Sequence, residues 1–137
     1  MEPLFGLIGK KLGHSFSKQY FTEKFAREGI AARYELFELA TIDDLPGLLA
    51  AQPGLHGLNV TIPYKTEVIP FLGGLSPEAE AVGAVNTIRI RDGRLEGHNT
   101  DTYGFQVSLE NMLAGAHMAR ALILGTGGAA RAVAYVL

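Results

Sequence analysis

Polar side chains of different chemistry leave this chain at two places where an apolar, strand-like run ends. The first is Asn59 to Lys65 (NVTIPYK), which offers an amide, a hydroxyl and an ammonium group before a helix begins. The second is Asn99 to Gly104 (NTDTYG), which adds the carboxylate of Asp101. A lysine beside a carboxylate can pass a proton to or from a substrate hydroxyl when both groups are partly desolvated. The two segments therefore predict a pocket for a small polyol or acid.

Each of these residues also has an ordinary structural interpretation. Asp101 stands where the N-cap of a helix belongs, and Lys65 could be a surface lysine at a strand-to-helix switch. Ser15 and Ser17 stand at the start of the first helix, where two hydroxyls can bind a carboxylate without adding charge, although one of them could simply cap that helix. Asn86 carries a donor and an acceptor suited to a hydroxyl pair, or it could pair with loop backbone.

A glycine-rich turn near the end of the chain indicates a phosphate-binding loop. Residues 122–131 (LILGTGGAAR) fit the pattern G-x-G-x-x-A after an apolar run. Gly125 permits the tight turn, Gly127 lets backbone N–H groups approach a pyrophosphate, and Ala130 lets helix and strand pack closely. An ordinary strand-to-helix turn of small residues is the alternative. No Gly-Lys-Ser/Thr triplet follows, so the turn is not a P-loop.

Composition excludes several classes of function. The 137 residues carry a net charge of −2 and no cysteine, and no basic run exceeds Lys10-Lys11. We therefore expect no nucleic-acid partner, no disulfide and no thiolate metal site. His56, His98 and His117 are scattered without the spacing of metal ligands, so we predict no metal site. Neither a signal peptide nor an apolar span of bilayer length is visible, so we predict no membrane contact and a cytoplasmic location.

Alternating strand and helix patterns predict an α/β fold with a mainly parallel sheet, helices on both faces and an antiparallel edge hairpin. The hairpin is predicted at Asp92-Gly93, the strongest short turn signal in the chain. The predicted strands are 4–9, 32–39, 55–62, 85–91, 94–98 and 119–124. The predicted helices are 17–28, 41–51, 64–72, 77–82, 102–113 and one that begins at Gly128.

Taken together, five motifs in this order resemble shikimate dehydrogenase. They are the run from Gly9 to His14-Ser15-Phe16-Ser17, then NVTIPYK at 59–65, GAVNT at 83–87, GHNTD at 97–101 and GTGGA at 125–129. The combination of N-V-T-x-P-Y-K with N-T-D-x-x-G is far more specific than the glycine turn. The resemblance covers essentially the whole chain.

The resemblance implies NADP-dependent, reversible reduction of 3-dehydroshikimate to shikimate in aromatic amino acid biosynthesis. Lys65 and Asp101 would form the catalytic pair, and Ser15 and Ser17 would hold the substrate carboxylate. The residues that would hold the substrate hydroxyls are Asn59, Thr61, Asn86 and Asp101. Those that would lie against the cofactor pyrophosphate are Gly125, Gly127, Gly128 and Ala129. A homodimer is a further possibility.

Residues 1–101 are predicted to form the substrate-binding domain and residues 102–137 the start of a Rossmann domain, with the first strand, turn and helix. Only 18 residues run from Arg120 to Leu137, whereas a βαβ unit needs about 30 or more. We therefore expect an N-terminal part of such an enzyme, inactive by itself. Residues that would read the adenine ribose are absent, so an NAD-dependent quinate/shikimate dehydrogenase stays open, as does a non-catalytic ligand-binding module.

Overall fold

A computed structural model describes residues 2–137. Its strands are β1 (Leu4–Gly9), β2 (Arg33–Glu38), β3 (Leu55–Val60), β4 (Gly74–Leu75), β5 (Thr87–Arg91) and β6 (Arg94–His98). Its α-helices are α1 (Ser17–Glu28), α2 (Leu45–Ala51), α3 (Tyr64–Glu67), α4 (Pro77–Val82), α5 (Asp101–Leu113) and α6 (Gly128–Val136). Two short 3₁₀ helices, Ile42–Asp44 and Ile69–Phe71, precede α2 and follow α3.

The strands form a mixed six-stranded sheet in the order β2-β1-β3-β5-β6-β4. Strand β1 is parallel to β2 and β3, while β5 is antiparallel to β3 and β6. The predicted hairpin is confirmed: Asp92 and Gly93 have φ values of 50° and 71°, the positive pair that a tight two-residue hairpin turn requires. The short strand β4 pairs with β6 on its outer side, so the hairpin lies one strand in from the edge.

Apolar side chains cover both faces of the sheet. The larger core joins one face to α2, α3, α4 and the 3₁₀ turns, and it includes Ile8, Leu58 and Ile88, which are at most 2% exposed. Helix α1 packs on the other face, where Phe21 and Phe25 contact Leu7 and Tyr34. The α/β alternation thus places helices on both faces, as predicted.

Helix α6 packs against α5 and the end of α4 rather than against the sheet. Ala132 is 1% exposed and forms a small apolar cluster with Val82 and Ala84. This contact brings the start of α6 next to α3, and the geometry of that approach is described with the site below.

The strand predicted over Ala119–Leu124 is wrong for this structure. Residues 120–126 have no strand or helix conformation, and Leu122 and Leu124 are 84% and 88% exposed. The apolar pattern is present, but a strand forms only when a neighbouring strand supplies its backbone hydrogen bonds, and none of the described residues lies alongside. A smaller difference is that each of the predicted helices 41–51 and 64–72 is divided into an α-helix and a 3₁₀ helix.

Among residues 2–137, no helix is both long enough and apolar enough to cross a bilayer. The same residues contain no cluster of three or more His, Asp or Glu side chains arranged to hold a metal ion.

Candidate active site

A polar cleft of about 350 Å³ lies at the carboxyl ends of β1 and β3. The carboxyl ends of parallel strands meet at one edge of a sheet, which is where open α/β sheets bind ligands. Every side chain predicted to hold substrate lines this cleft: Ser15, Ser17, Asn59, Thr61, Lys65, Asn86 and Asp101. The structure therefore brings the predicted set together, while the role of each residue stays a prediction.

Lys65 and Asp101 form an ion pair in the cleft. Lys65 lies in α3, and its Nζ donates to Asp101 Oδ2 over 2.6 Å. The Lys65 side chain is 16% exposed and that of Asp101 is 35% exposed, so water is partly excluded while a ligand can still reach both groups. Asp101 is the first residue of α5, where the positive end of the helix dipole stabilises a carboxylate.

Asn99 fixes the start of α5 and leaves the Asp101 carboxylate free for Lys65. Its side chain is buried, and Oδ1 accepts hydrogen bonds from the backbone N–H groups of Asp101 (3.1 Å) and Thr102 (3.3 Å). Its Nδ2 donates to the Ala84 carbonyl over 3.0 Å. The capping role that the sequence allowed for Asp101 is therefore performed by Asn99.

Asn86 uses all four of its hydrogen-bonding positions on protein partners. Its Oδ1 accepts from the Thr100 backbone N–H (2.9 Å) and from the Thr87 hydroxyl (3.1 Å). Its Nδ2 donates to Thr100 Oγ1 (2.8 Å) and Asp101 Oδ1 (3.0 Å). A ligand hydroxyl would have to replace one of these partners, so Asn86 also holds Asp101 in place from the side opposite Lys65.

Asn59 is the next member of the same network. Its Nδ2 donates to Thr87 Oγ1 over 3.3 Å, and its Oδ1 accepts from the Tyr34 hydroxyl over 2.7 Å. One N–H and one lone pair of the Asn59 amide remain for a ligand. Tyr34 is 3% exposed and was not among the predicted site residues, because a tyrosine in an apolar strand pattern looks like an ordinary core residue.

The two serines stand at the start of α1. Ser15 Oγ accepts from the Ser17 backbone N–H over 3.2 Å, which leaves the Ser15 hydroxyl proton for another acceptor. The N-cap position is Phe16, which cannot cap through its side chain. Ser15 thus supports the helix start and faces the cleft at the same time.

Lys11 and His14 also line the cleft, although neither was assigned a role from the sequence. Both are exposed, and neither belongs to an ion pair among residues 2–137. Because Lys65 and Asp101 compensate each other, Lys11 gives the cleft a net positive charge. The adjacency of His14 to Ser15 in the sequence was the available signal.

The glycine turn has the open backbone that a phosphate group needs. Gly125 has a φ of 129°, which favours glycine, and a Cβ built at Gly125 or Gly127 would meet no atom within 4 Å. Residues 125–127 are exposed, and α6 starts directly after them, so the first N–H groups of α6 lack intrahelical partners. These features fit a pyrophosphate, although the strand predicted before the turn is absent.

Gly128 makes the closest approach between the glycine turn and the cleft. A Cβ built on Gly128 would lie 2.7 Å from Cβ and 3.1 Å from Cδ of Lys65, and 3.4 Å from Cβ of Ala84. Carbon atoms normally pack about 3.5–4.0 Å apart. The missing side chain at this position therefore allows α6 to rest on the aliphatic stem of Lys65.

Comparison with known proteins shows the family of this chain. Residues 7–88 match the family described as the shikimate dehydrogenase substrate binding domain. This chain belongs to the shikimate dehydrogenase family. Shikimate dehydrogenase (NADP(+)) of Clostridium perfringens is 43% identical over 136 residues, which cover 95% of this chain and 48% of that protein.

Solved structures of family members have the same fold. Shikimate dehydrogenase 1 of Peptoclostridium difficile superimposes with a TM-score of 0.89 at 40% identity, over 98% of this chain and 51% of that one. Quinate dehydrogenase of Corynebacterium glutamicum, solved in complex with NAD, superimposes with a TM-score of 0.86 at 37% identity, over 98% of this chain and 50% of that one. The chain thus spans about half the length of the shikimate dehydrogenases it matches.

Proposed function

We propose that this chain provides the substrate site for NADP-dependent, reversible reduction of 3-dehydroshikimate to shikimate. The observation that carries the proposal is the Lys65–Asp101 ion pair at 2.6 Å inside a cleft lined by hydroxyls and amides, in a chain of the shikimate dehydrogenase family. The NADP(+) in the name of the Clostridium perfringens relative supports the choice of cofactor.

The polar lining suits a ring that bears a carboxylate and several hydroxyls. Ser15 and Ser17 would bind the carboxylate at one end, with the positive charge of Lys11 favouring an anion there. Asn59 and Thr61 would hold ring hydroxyls through the donor and acceptor positions that remain to them. A ligand without those hydroxyls would leave polar groups unpaired, which is how a hydrogen-bonding site rejects close analogues.

Lys65 and Asp101 would handle the proton of the reaction. When the substrate carbonyl is reduced, the oxygen gains a proton as the carbon gains a hydride; in the oxidation both leave. The Lys65 ammonium would give that proton to the oxygen and regain one from solvent. Asp101 would hold the ammonium in the cleft through their ion pair until transfer.

The glycine turn would hold the pyrophosphate of NADP through the backbone N–H groups of residues 125–129, with Gly125, Gly127, Gly128 and Ala129 as its members. Bound there, NADP would supply the hydride in one direction and accept it in the other. The turn's open backbone and its place at the start of α6 support this assignment.

Substitution of Lys65 in the full gene product tests the proposed chemistry. Lys65→Ala should lower kcat for NADP-dependent oxidation of shikimate by on the order of 10²–10⁴-fold with little change in KM, because it removes the proton donor. Lys24→Ala is the matched control, since Lys24 lies on α1 outside the cleft and pairs with Glu28 of the same helix. A normal kcat with a raised KM would reduce Lys65 to a binding residue.

An NAD-dependent quinate dehydrogenase is the second candidate, because the quinate dehydrogenase of Corynebacterium glutamicum, solved in complex with NAD, superimposes almost as well. Comparing kcat/KM for shikimate and quinate with each cofactor distinguishes the two. A protein that binds shikimate but turns over neither acid with either cofactor would instead be a ligand-binding module.

A further inference from the structure

Tyr34 lies beneath the cleft, with its ring held by packing and its hydroxyl directed towards the side chains that are predicted to bind substrate. The ring stacks on Phe21 of α1, with centroids 4.5 Å apart and planes 14° apart, and the residue is 3% exposed. Strand β1 separates Tyr34 on β2 from Asn59 on β3. The hydroxyl nevertheless reaches Asn59 Oδ1, at 2.7 Å.

The direction of this hydrogen bond is determined by a chain of bonds that begins at backbone. The Thr100 N–H can only donate, so the oxygen of the Asn86 amide must face it. The Thr87 hydroxyl then donates to that same oxygen and must accept from Asn59 Nδ2. The oxygen of Asn59 is left facing Tyr34, whose hydroxyl must donate.

Burial raises the pKa of the Tyr34 hydroxyl, so the phenol keeps its proton. It donates that proton to Asn59, which is predicted to hold a substrate hydroxyl.

We propose that Tyr34 is a positioning residue that fixes the orientation of the Asn59 amide, and with it the end of that amide offered to the substrate hydroxyls. The inference rests on the proposed function of the cleft. Without the Tyr34 hydroxyl, Asn59 Oδ1 loses its donor and the amide can rotate, so the substrate meets a mixture of orientations. Tyr34 acts through Asn59 and does not itself touch substrate.

The test is Tyr34→Phe in the full gene product, which removes only the hydroxyl and keeps the stacked ring. The matched control is Tyr64→Phe: Tyr64 is 2% exposed and its hydroxyl donates to the Leu39 carbonyl, at 2.5 Å, on the other face of the sheet. Calorimetric titration with shikimate should show about 10-fold weaker binding for Tyr34→Phe, a typical loss for one unpaired buried polar group. Tyr64→Phe should bind within about twofold of the parent, which is no significant loss.

A double-mutant cycle separates positioning from a general loss of stability. In an Asn59→Ala background, Tyr34→Phe should cause no further loss of shikimate affinity, because the residue it orients is gone. The side-chain amide protons of Asn59 should also exchange with solvent faster in Tyr34→Phe than in the parent, whereas their exchange rate in Tyr64→Phe should equal that of the parent.

The outcomes distinguish the two proposals. If the parent protein binds shikimate but Tyr34→Phe binds it equally well, or if its effect persists fully in Asn59→Ala, the positioning role is overturned and the proposed function stands. If the parent protein does not bind shikimate, the proposed function fails and the positioning role fails with it.

Discussion

Replacing Gly128 with alanine should destabilise this chain, because α6 rests on Lys65 at that position. The new Cβ would lie 2.7 Å from Lys65 Cβ and 3.1 Å from Cδ. Carbon atoms pack at about 3.5–4.0 Å, so the overlap with Lys65 Cβ is roughly 1 Å. The position of Lys65 Cβ is fixed by the backbone, so a change of rotamer cannot relieve this contact and α6 must move outward; overpacking of this kind costs about 1–3 kcal/mol.

Urea denaturation followed by far-UV circular dichroism measures this change. With an m-value of about 2 kcal/mol/M, the midpoint should fall by roughly 0.5–1.5 M. Gly47→Ala in α2 is the matched control: a Cβ there meets no atom within 4 Å. It should raise the free energy of unfolding by about 0.5–1 kcal/mol, because alanine is the better helix former.

The two glycine substitutions are therefore expected to shift the midpoint in opposite directions. A Gly128→Ala chain as stable as the parent, or stabilised like Gly47→Ala, would mean that α6 does not rest on Lys65. Weakened shikimate binding in Gly128→Ala, measured without cofactor, would show in addition that the displacement reaches the Lys65 ammonium group.

Three further outcomes follow from the same structure. Asp101→Asn should lower kcat for shikimate oxidation by on the order of 10²-fold and raise KM, because the Lys65 charge loses its counterion; steady-state kinetics with unchanged constants would contradict this. Asn99→Ala should lower the free energy of unfolding by about 1–3 kcal/mol, since a buried carbonyl and two helix N–H groups lose their partner, whereas Asn99→Asp should lose less; equal urea midpoints for Asn99→Ala and the parent would refute it. Burial raises the pKa of Tyr34 and of Tyr64. The stability that the two neutral phenols contribute to the fold is therefore complete below the unfolded pKa near 10 and is lost as the pH rises towards the folded pKa. Urea midpoints should fall above about pH 10, less steeply in Tyr64→Phe, and a profile that stays flat would disprove the burial argument.

The sequence predicted the cleft because its motifs stand at strand ends, and parallel strand ends converge in space. NVTIPYK begins in the last two residues of β3, and GHNTD begins in the last two residues of β6 and ends on the first residue of α5, so Lys65 and Asp101 meet without any further assumption. The hairpin was equally predictable, since Asp92-Gly93 encodes its turn locally.

Tertiary contacts decided what the sequence could not show. Residues 119–124 have the apolar pattern of a strand, yet strand formation depends on a partner that the pattern does not contain. The two-residue strand β4 is too short to leave a periodic signal. Tyr34 looks like core, and only the folded arrangement shows that its hydroxyl reaches Asn59 across an intervening strand.

The hydrogen-bond network of the cleft has a consequence for the order in which ligands bind. All of its side chains lie between Ser15 and Asp101, so the site for the acid is assembled without any group from the glycine turn. On the proposed function, shikimate and NADP should therefore bind in either order. Their affinities should still influence each other, because Gly128 belongs to the turn and touches the stem of Lys65. A cofactor that moved α6 would move the lysine that meets the acid, so the affinity for each ligand should change when the other is bound.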